Sequence, residues 1–89
     1  MTFETVAEIK AANEATGQHW FDVNIMWVFG TRIATEVIGG RYFISSDDTP
    51  RFTVRVAADD GRIDTIGEFR EHETLGAAIE AAKTAAGIT

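Results

Sequence analysis

Two short segments, Gly39-Gly40 and Asp60-Gly61, constrain what this chain can fold into more than anything else in it. Gly39-Gly40 separates Thr35-Glu36-Val37-Ile38 from Arg41-Tyr42-Phe43-Ile44. Asp60-Gly61 separates Phe52-Thr53-Val54-Arg55-Val56 from Ile63-Asp64-Thr65-Ile66. Such pairs accept the positive φ of tight hairpin turns, and their flanks mix β-branched and aromatic residues with polar ones, as strands do. Two β-hairpins in a four-stranded antiparallel meander follow. A two-residue Gly39-Gly40 loop pairs Ile38 with Arg41, Val37 with Tyr42 and Thr35 with Ile44, placing Ile33, Thr35, Val37, Tyr42 and Ile44 on one face. A two-residue Asp60-Gly61 loop pairs Val56 with Thr65, Val54 with Gly67 and Phe52 with Phe69, placing Phe52, Val54, Val56, Ile63 and Phe69 together. Gly67, opposite Val54, leaves a gap for an aromatic ring or marks a bulge.

In that register the other face of the sheet carries Ile38, Phe43 and Ile66 among Arg41, Thr53, Arg55, Glu68 and Arg70. A mixed apolar and arginine patch has the makeup of an interface, with Ile38, Phe43, Ile66 and Arg55 as its candidate residues. Cover by the segment 18–30 is the alternative.

Helical signals flank the hairpins. Thr5-Val6-Ala7-Glu8 fits a capping box, Val6, Ile9 and Asn13 follow at helical spacing, and Gly17 is a stop, so residues 5–16 read as a helix. Asp22 caps a short helix through Phe29 with Ile25, Met26 and Phe29 inward, although the β-branched and aromatic content also fits a strand. Trp20, Phe21, Trp27 and Phe29 supply four of the nine aromatics, and this segment is expected to close the core. Thr74 caps a last helix, 75–86, with Leu75, Ala78, Ile79 and Ala82 inward and Gly87 as stop. The expected fold is a single α+β domain over residues 1–89: a four-stranded antiparallel meander, with an N-terminal, a short second and a C-terminal helix packed mainly on one face.

Eighty-nine residues suit one compact core, and the absence of cysteine removes disulfides and thiolate metal sites. The longest apolar run, residues 25–29, is far too short to cross a bilayer, and Glu4 stands where an export signal carries a base. A cytoplasmic location is the expectation. Fourteen acids against eight bases give a net charge of −6, which disfavours direct binding to nucleic acid and is compatible with a protein partner with a basic surface or simply with solubility. In a meander, Asp47, Asp48, Glu71 and Glu73 come out at one end of the sheet and Asp59 and Asp60 at the other, with Asp64 completing a second acidic cluster.

No segment carries a catalytic signature. His19 and His72, the two histidines, have acids nearby in sequence (Asp22; Glu71 and Glu73) but no His-Glu-x-x-His spacing. Asp59-Asp60-Gly61-Arg62-Ile63-Asp64 has the acid density of a calcium loop without its order. Gly39-Gly40-Arg41 lacks the Lys-Ser/Thr of a phosphate loop, and Ser45 and Ser46 lack a nucleophile-elbow motif. No catalytic residue, metal site or cofactor is expected.

Gly39-Gly40-Arg41-Tyr42-Phe43, Pro50-Arg51-Phe52-Thr53-Val54-Arg55 and Gly61-Arg62-Ile63-Asp64-Thr65-Ile66-Gly67-Glu68-Phe69 matter together. With Asn13-Glu14-Ala15 and His19-Trp20-Phe21, they resemble a family of small uncharacterised proteins of bacteriophages and other bacterial mobile elements, over roughly Glu8 to Phe69. These are mostly hairpin residues, so the resemblance bears on fold more than on activity. It implies a setting in which small acidic cysteine-free domains inhibit host machinery, anti-CRISPR proteins among them. The leading expectation is therefore a non-enzymatic binding protein that blocks a basic groove sterically or as an acidic mimic, through Asp47, Asp48, Glu71 and Glu73 and through Asp59, Asp60 and Asp64. The alternatives are a structural module that self-associates as a homodimer, and a small metal-assisted enzyme at His19 or His72.

Overall fold

The computed structural model describes residues 2–88, and for Ile25 and Phe29 the backbone alone. Three capped helices frame the chain. Helix α1, Val6–Thr16, begins at Thr5, whose Oγ1 accepts from the Glu8 N–H at 3.2 Å, and ends on left-handed Gly17. The Glu8 carboxylate reaches back to the Glu4 N–H, one residue earlier than a capping box has it. Helix α2, Val23–Phe29, begins at Asp22, whose Oδ1 accepts from Asn24 N–H and whose carbonyl accepts from Met26 N–H, both at 2.9 Å. That cap favours helix over the β-prone content of the segment. Of the expected inward trio, Met26 packs against the core, while the Ile25 and Phe29 side chains lie outside the described residues. Helix α3, Leu75–Ala86, starts from Thr74 and stops at Gly87, burying Ala78 and Ala82.

Strands β1 (Arg32–Ile33), β2 (Tyr42–Ser46), β3 (Phe52–Ala57) and β4 (Ile63–Ile66) form an antiparallel sheet in the order β1-β2-β3-β4. The α+β meander is as expected, but both hairpin registers differ by one residue. Ile38, not Val37, opposes Tyr42, exchanging backbone hydrogen bonds of 2.7 and 3.1 Å across Gly39-Gly40-Arg41. Ala58 likewise closes on Arg62 at 2.9 Å across Asp59-Asp60-Gly61, and Phe52 opposes His72 rather than Phe69. Three-residue loops with a left-handed glycine replace the two-residue ones. A slip of one residue sends side chains to the opposite face.

The sheet is therefore apolar on both sides. Ile44 and Val54 pack with Ala78 and Ala82 of α3, joined by Ile38, Tyr42, Phe52 and Ile66. Phe43, Ala57 and Ile63 pack with Phe3, Ile9 and Phe21, joined by Ile33, Val37, Trp20 and Met26. Helices thus cover both faces, not mainly one. The expected patch of Ile38, Phe43, Ile66 and Arg55 does not exist as one surface: Ile38 and Ile66 lie under α3, and Phe43 is fully buried on the face it shares with Arg55. The alternative, cover by the segment that follows α1, is what the structure has.

Both edges of the meander leave the ladder and return. Between Ala34, which donates to the Ile44 carbonyl at 2.8 Å, and Ile38, three residues stand opposite Phe43 alone, and the Thr35 hydroxyl accepts from Ile44 N–H. Between Ile66, paired with Val54, and His72, paired with Phe52, residues 67–71 stand opposite Thr53 alone, and the Thr53 hydroxyl accepts from Arg70 N–H at 2.9 Å. Gly67 opens this excursion at φ 74°, so the bulge reading of that glycine is the correct one.

At Gly61 the β3–β4 turn packs directly against the backbone of α1. Gly61 sits at φ 99°, and a Cβ there would lie 2.5 Å from Ala12 Cβ and 2.6 Å from the Ala12 carbonyl carbon. Gly87 has a similar left-handed backbone with nothing within 4 Å. Gly87→Ala should cost about 1 kcal/mol of backbone strain, whereas Gly61→Ala adds overpacking and should cost about 3–5 kcal/mol. Urea denaturation of the two variants checks the ordering.

Candidate functional site

A cavity of about 510 Å³ lies over the Phe43 face of the sheet, lined by Gln18, His19, Trp20, Met26, Thr31, Arg55, Phe69 and Arg70. Its size is that of a small-ligand pocket. Three structural devices build it. The loop after α1 brings in Trp20, whose backbone N–H donates to the buried Asn13 Oδ1 at 2.7 Å. Trp20 then stands edge-on to Phe21 and Phe43, with centroids 4.8 and 5.7 Å away, so one side of its environment is core and the other is cavity. Helix α2 contributes Met26. The 67–71 excursion contributes Phe69 and Arg70.

The excursion is held firmly. Arg51 donates from Nε to the Arg70 carbonyl at 2.6 Å and from Nη2 to the Glu71 carbonyl at 2.9 Å, while Glu71 Oε1 accepts from Glu68 N–H. The only two non-glycine positive-φ residues described, His19 and Arg70, at 53° and 61°, both line this cavity. Such backbone persists where its surroundings enforce it and often marks sites of function.

Arg55 forms the floor. Its Nε donates to Ser45 Oγ at 3.0 Å and its Nη1 to Thr65 Oγ1, and its Cζ lies 5.3 Å from the Trp20 centroid and 5.5 Å from that of Phe69. Burial pulls its pKa below the ordinary arginine value, opposed by the more distant charges of Asp47 and Asp64. Arg70 lies 4.8 Å over the Phe69 ring and donates from Nε to Asp47 Oδ2 at 2.6 Å. Burial alone would raise the Asp47 carboxyl, but hydrogen bonds from the Thr49 hydroxyl and N–H and from Arg70 outweigh it and hold the group below its ordinary value.

The acids singled out from the sequence fall at the two ends of the sheet, and most already hold partners. Asp47 pairs with Arg70, Glu73 with Arg51 at 3.2 Å, Asp59 with Arg41 and Asp60 with Arg62 at 3.5 Å. Glu71 accepts from Glu68 and lies 3.2 Å from His72 Nε2. Asp64 accepts from Thr65 N–H, and Asp48 is exposed beside Gly30. Asp22, beyond its capping bond, has a further partner. His19 and His72 are not gathered into a site: among the described residues no three His, Asp or Glu side chains are placed to hold one ion. Of the cavity wall, sequence reasoning singled out Arg55 as a site residue but assigned it to an open patch. It placed Phe69 in the core and did not single out Gln18, Thr31 or Met26 as site residues. Gly67, read as either a gap or a bulge, was the signal that residues 67–71 leave the strand.

The architecture is that of a small α+β domain in which one edge excursion and one post-helix loop enclose a cavity lined by arginine and aromatic residues. Residues 5–83 match a family model, and the chain belongs to that family, a family of unknown function (DUF7447). No curated protein and no solved structure matches the chain.

Two outcomes test this geometry. Asn13 is fully buried and bonds Gly61 O, Gln18 Oε1 and Trp20 N–H, so Asn13→Leu should cost about 2–5 kcal/mol by orphaning buried groups, read as a lower urea midpoint. Because the folded Asp47 pKa is below its ordinary value of 3.8, its stabilisation is complete above that pH and is lost as pH falls through the lower folded pKa. The acid-side decline of the urea midpoint should therefore be shallower in Asp47→Asn than in wild type.

Proposed function

We propose that this domain is a non-enzymatic binding protein that engages a protein partner through the outer face of α2. The observation that carries this reading is the exposure of Val23, Trp27 and Val28, at 74, 83 and 66%. Trp27 was expected to help close the core; instead it and Val23, one helical turn apart, stand in water on one face with Val28 beside them. Large apolar side chains gathered on a surface point to interaction sites, and tryptophan is enriched among the residues that dominate interface energetics.

The net charge of −6 favours a partner with a basic surface, and long-range attraction speeds such encounters. Attraction suits the acids better than contact mimicry, since Asp47, Asp59, Asp60 and Glu73 already hold arginines. In the phage or mobile-element setting implied by the resemblance, the partner is a piece of host machinery in the bacterial cytoplasm. An inhibitor of the anti-CRISPR kind is the specific form of this reading. Among the described residues no helix is long and apolar enough to cross a membrane.

A second reading, self-association, draws on the same apolar face. Sedimentation velocity and affinity capture from a bacterial lysate, with wild type and Trp27→Asp, separate the two. The expected outcome is a monomeric wild type that retains a defined partner, with retention reduced roughly tenfold or more by Trp27→Asp. A wild-type dimer that Trp27→Asp converts to a folded monomer would replace that partner by a second copy. Unchanged capture by Trp27→Asp would remove α2 from the interface.

A further inference from the structure

Independently of the α2 surface, we infer that the cavity over the Phe43 face binds a planar organic monocarboxylate. The carrying observation is the state of Arg55. This guanidinium is half-buried, and among the described residues no carboxylate makes an ion pair with it; its donors go to the neutral hydroxyls of Ser45 and Thr65. A charge removed from water normally has an opposite charge in contact, because hydroxyls recover only part of the lost hydration. Arg55 Nη2 has no acceptor among the described residues.

Arg70 adds a second donor edge. Its Nε holds Asp47, while Nη1 and Nη2 have no acceptor among the described residues. Among the described residues no Asp or Glu lines the cavity. Arg70 is paired with the nearly buried Asp47, whereas Arg55 feels Asp47 and Asp64 only from a distance, so a monoanion in the cavity supplies the charged contact that Arg55 lacks. The planar guanidinium fork matches a carboxylate, whose two oxygens accept in parallel. Trp20, Met26 and Phe69 offer flat and polarisable walls to whatever carries that carboxylate, and about 510 Å³ admits a bicyclic ring. The structural alternative is that Arg55 serves only as a stacked spacer between Trp20 and Phe69.

The test is an amide-resolved NMR titration of the full chain with 2-naphthoate, set against its neutral counterpart 2-naphthalenemethanol and the dianion 2-naphthyl phosphate. Saturable binding is expected, with shifts centred on Trp20, Thr31, Arg55, Phe69 and Arg70, and with the alcohol weaker by roughly tenfold or more. Arg55→Gln should weaken 2-naphthoate by roughly tenfold, and Arg55→Lys should not restore it, because an ammonium lacks the fork. If Arg55→Gln fails to fold, the acid-over-alcohol preference of wild type and the response of Arg70→Gln, an exposed position, still decide. N-Acetyl-Gly-Gly-Phe with a free or amidated C-terminus, a monoanion and its neutral counterpart, distinguishes the source of the carboxylate: tighter binding of the free acid than of 2-naphthoate assigns it to a chain terminus, weaker binding to a small free acid. Equal binding of acid and alcohol, tighter binding of the phosphate, shifts confined to α2, or no saturation at millimolar 2-naphthoate would each overturn the assignment.

Discussion

The fold depends on one buried amide. Asn13, wholly removed from solvent on α1, donates to the Gly61 carbonyl and to Gln18, and accepts from Trp20 N–H. A single side chain thus joins the first helix, the β3–β4 turn and the loop that carries the aromatic wall. Gln18 extends the node by accepting from Ile63 N–H at 2.8 Å and donating to the Ile63 carbonyl at 3.1 Å. Its side-chain amide occupies the place of a fifth strand and satisfies the outer edge of β4 where that strand begins. Buried polar groups this fully satisfied rigidify and specify, because every alternative packing would orphan several of them. The contact requires Gly61 to lie against Ala12, and that is why the turn accepts no side chain there.

The same economy of hydroxyls and amides governs the sheet edges. An edge strand exposes unpaired donors and acceptors, and natural proteins shorten, bulge or cover it. Here β1 has two residues and then bulges, with the Thr35 hydroxyl standing in for a backbone acceptor, while the continuation of β4 leaves entirely, with the Thr53 hydroxyl doing likewise. The second departure has a consequence that the first lacks. Its residues fold back over the sheet and carry Phe69 and Arg70 toward Arg55, and Arg51 ties down two of its carbonyls. The cavity is the space that this excursion and the Gln18–Trp20 loop enclose.

Helix ends and the strands β2, β3 and β4 were legible because they rest on local chemistry: Thr5, Asp22 and Thr74 as caps, Gly17 and Gly87 as left-handed stops, and turn glycines between strand-like residues; the strand expected over residues 35–38 is instead the bulge that follows β1. Register was not legible, since two- and three-residue loops both use Gly39-Gly40 or Asp60-Gly61, and the choice sets which face each side chain takes. The sequence did contain a hint. Tyr42-Phe43-Ile44 is apolar without alternation, as strands covered on both faces are. Phe3 escaped notice because nothing local to it signals that its N–H pairs with the Gly40 carbonyl at 2.7 Å. The cavity was hidden for the same reason as the register: its walls come from segments far apart in sequence, joined by hydrogen bonds through Asn13, Thr53 and Asp47.

The distribution of arginines shows where the molecule departs from simple stability. Arg41, Arg51 and Arg62 hold exposed acids around the two ends of the sheet, where water screens them and each pair contributes little, and Arg70 holds the nearly buried Asp47. Arg55 is different. It sits on an apolar face between aromatic rings, its charged form disfavoured by burial, and among the described residues only hydroxyls accept its hydrogen bonds. A Leu or Met in its place would continue the layer formed by Phe43 and Ala57 and would remove the desolvation cost. The neighbours are shaped to the guanidinium instead: Ser45 and Thr65 stand on the two adjoining strands at hydrogen-bond distance, and Trp20 and Phe69 flank it. A sheet position that four surrounding residues fit to a positive charge, facing a cavity lined by no Asp or Glu among the described residues, suits something negative that arrives from outside.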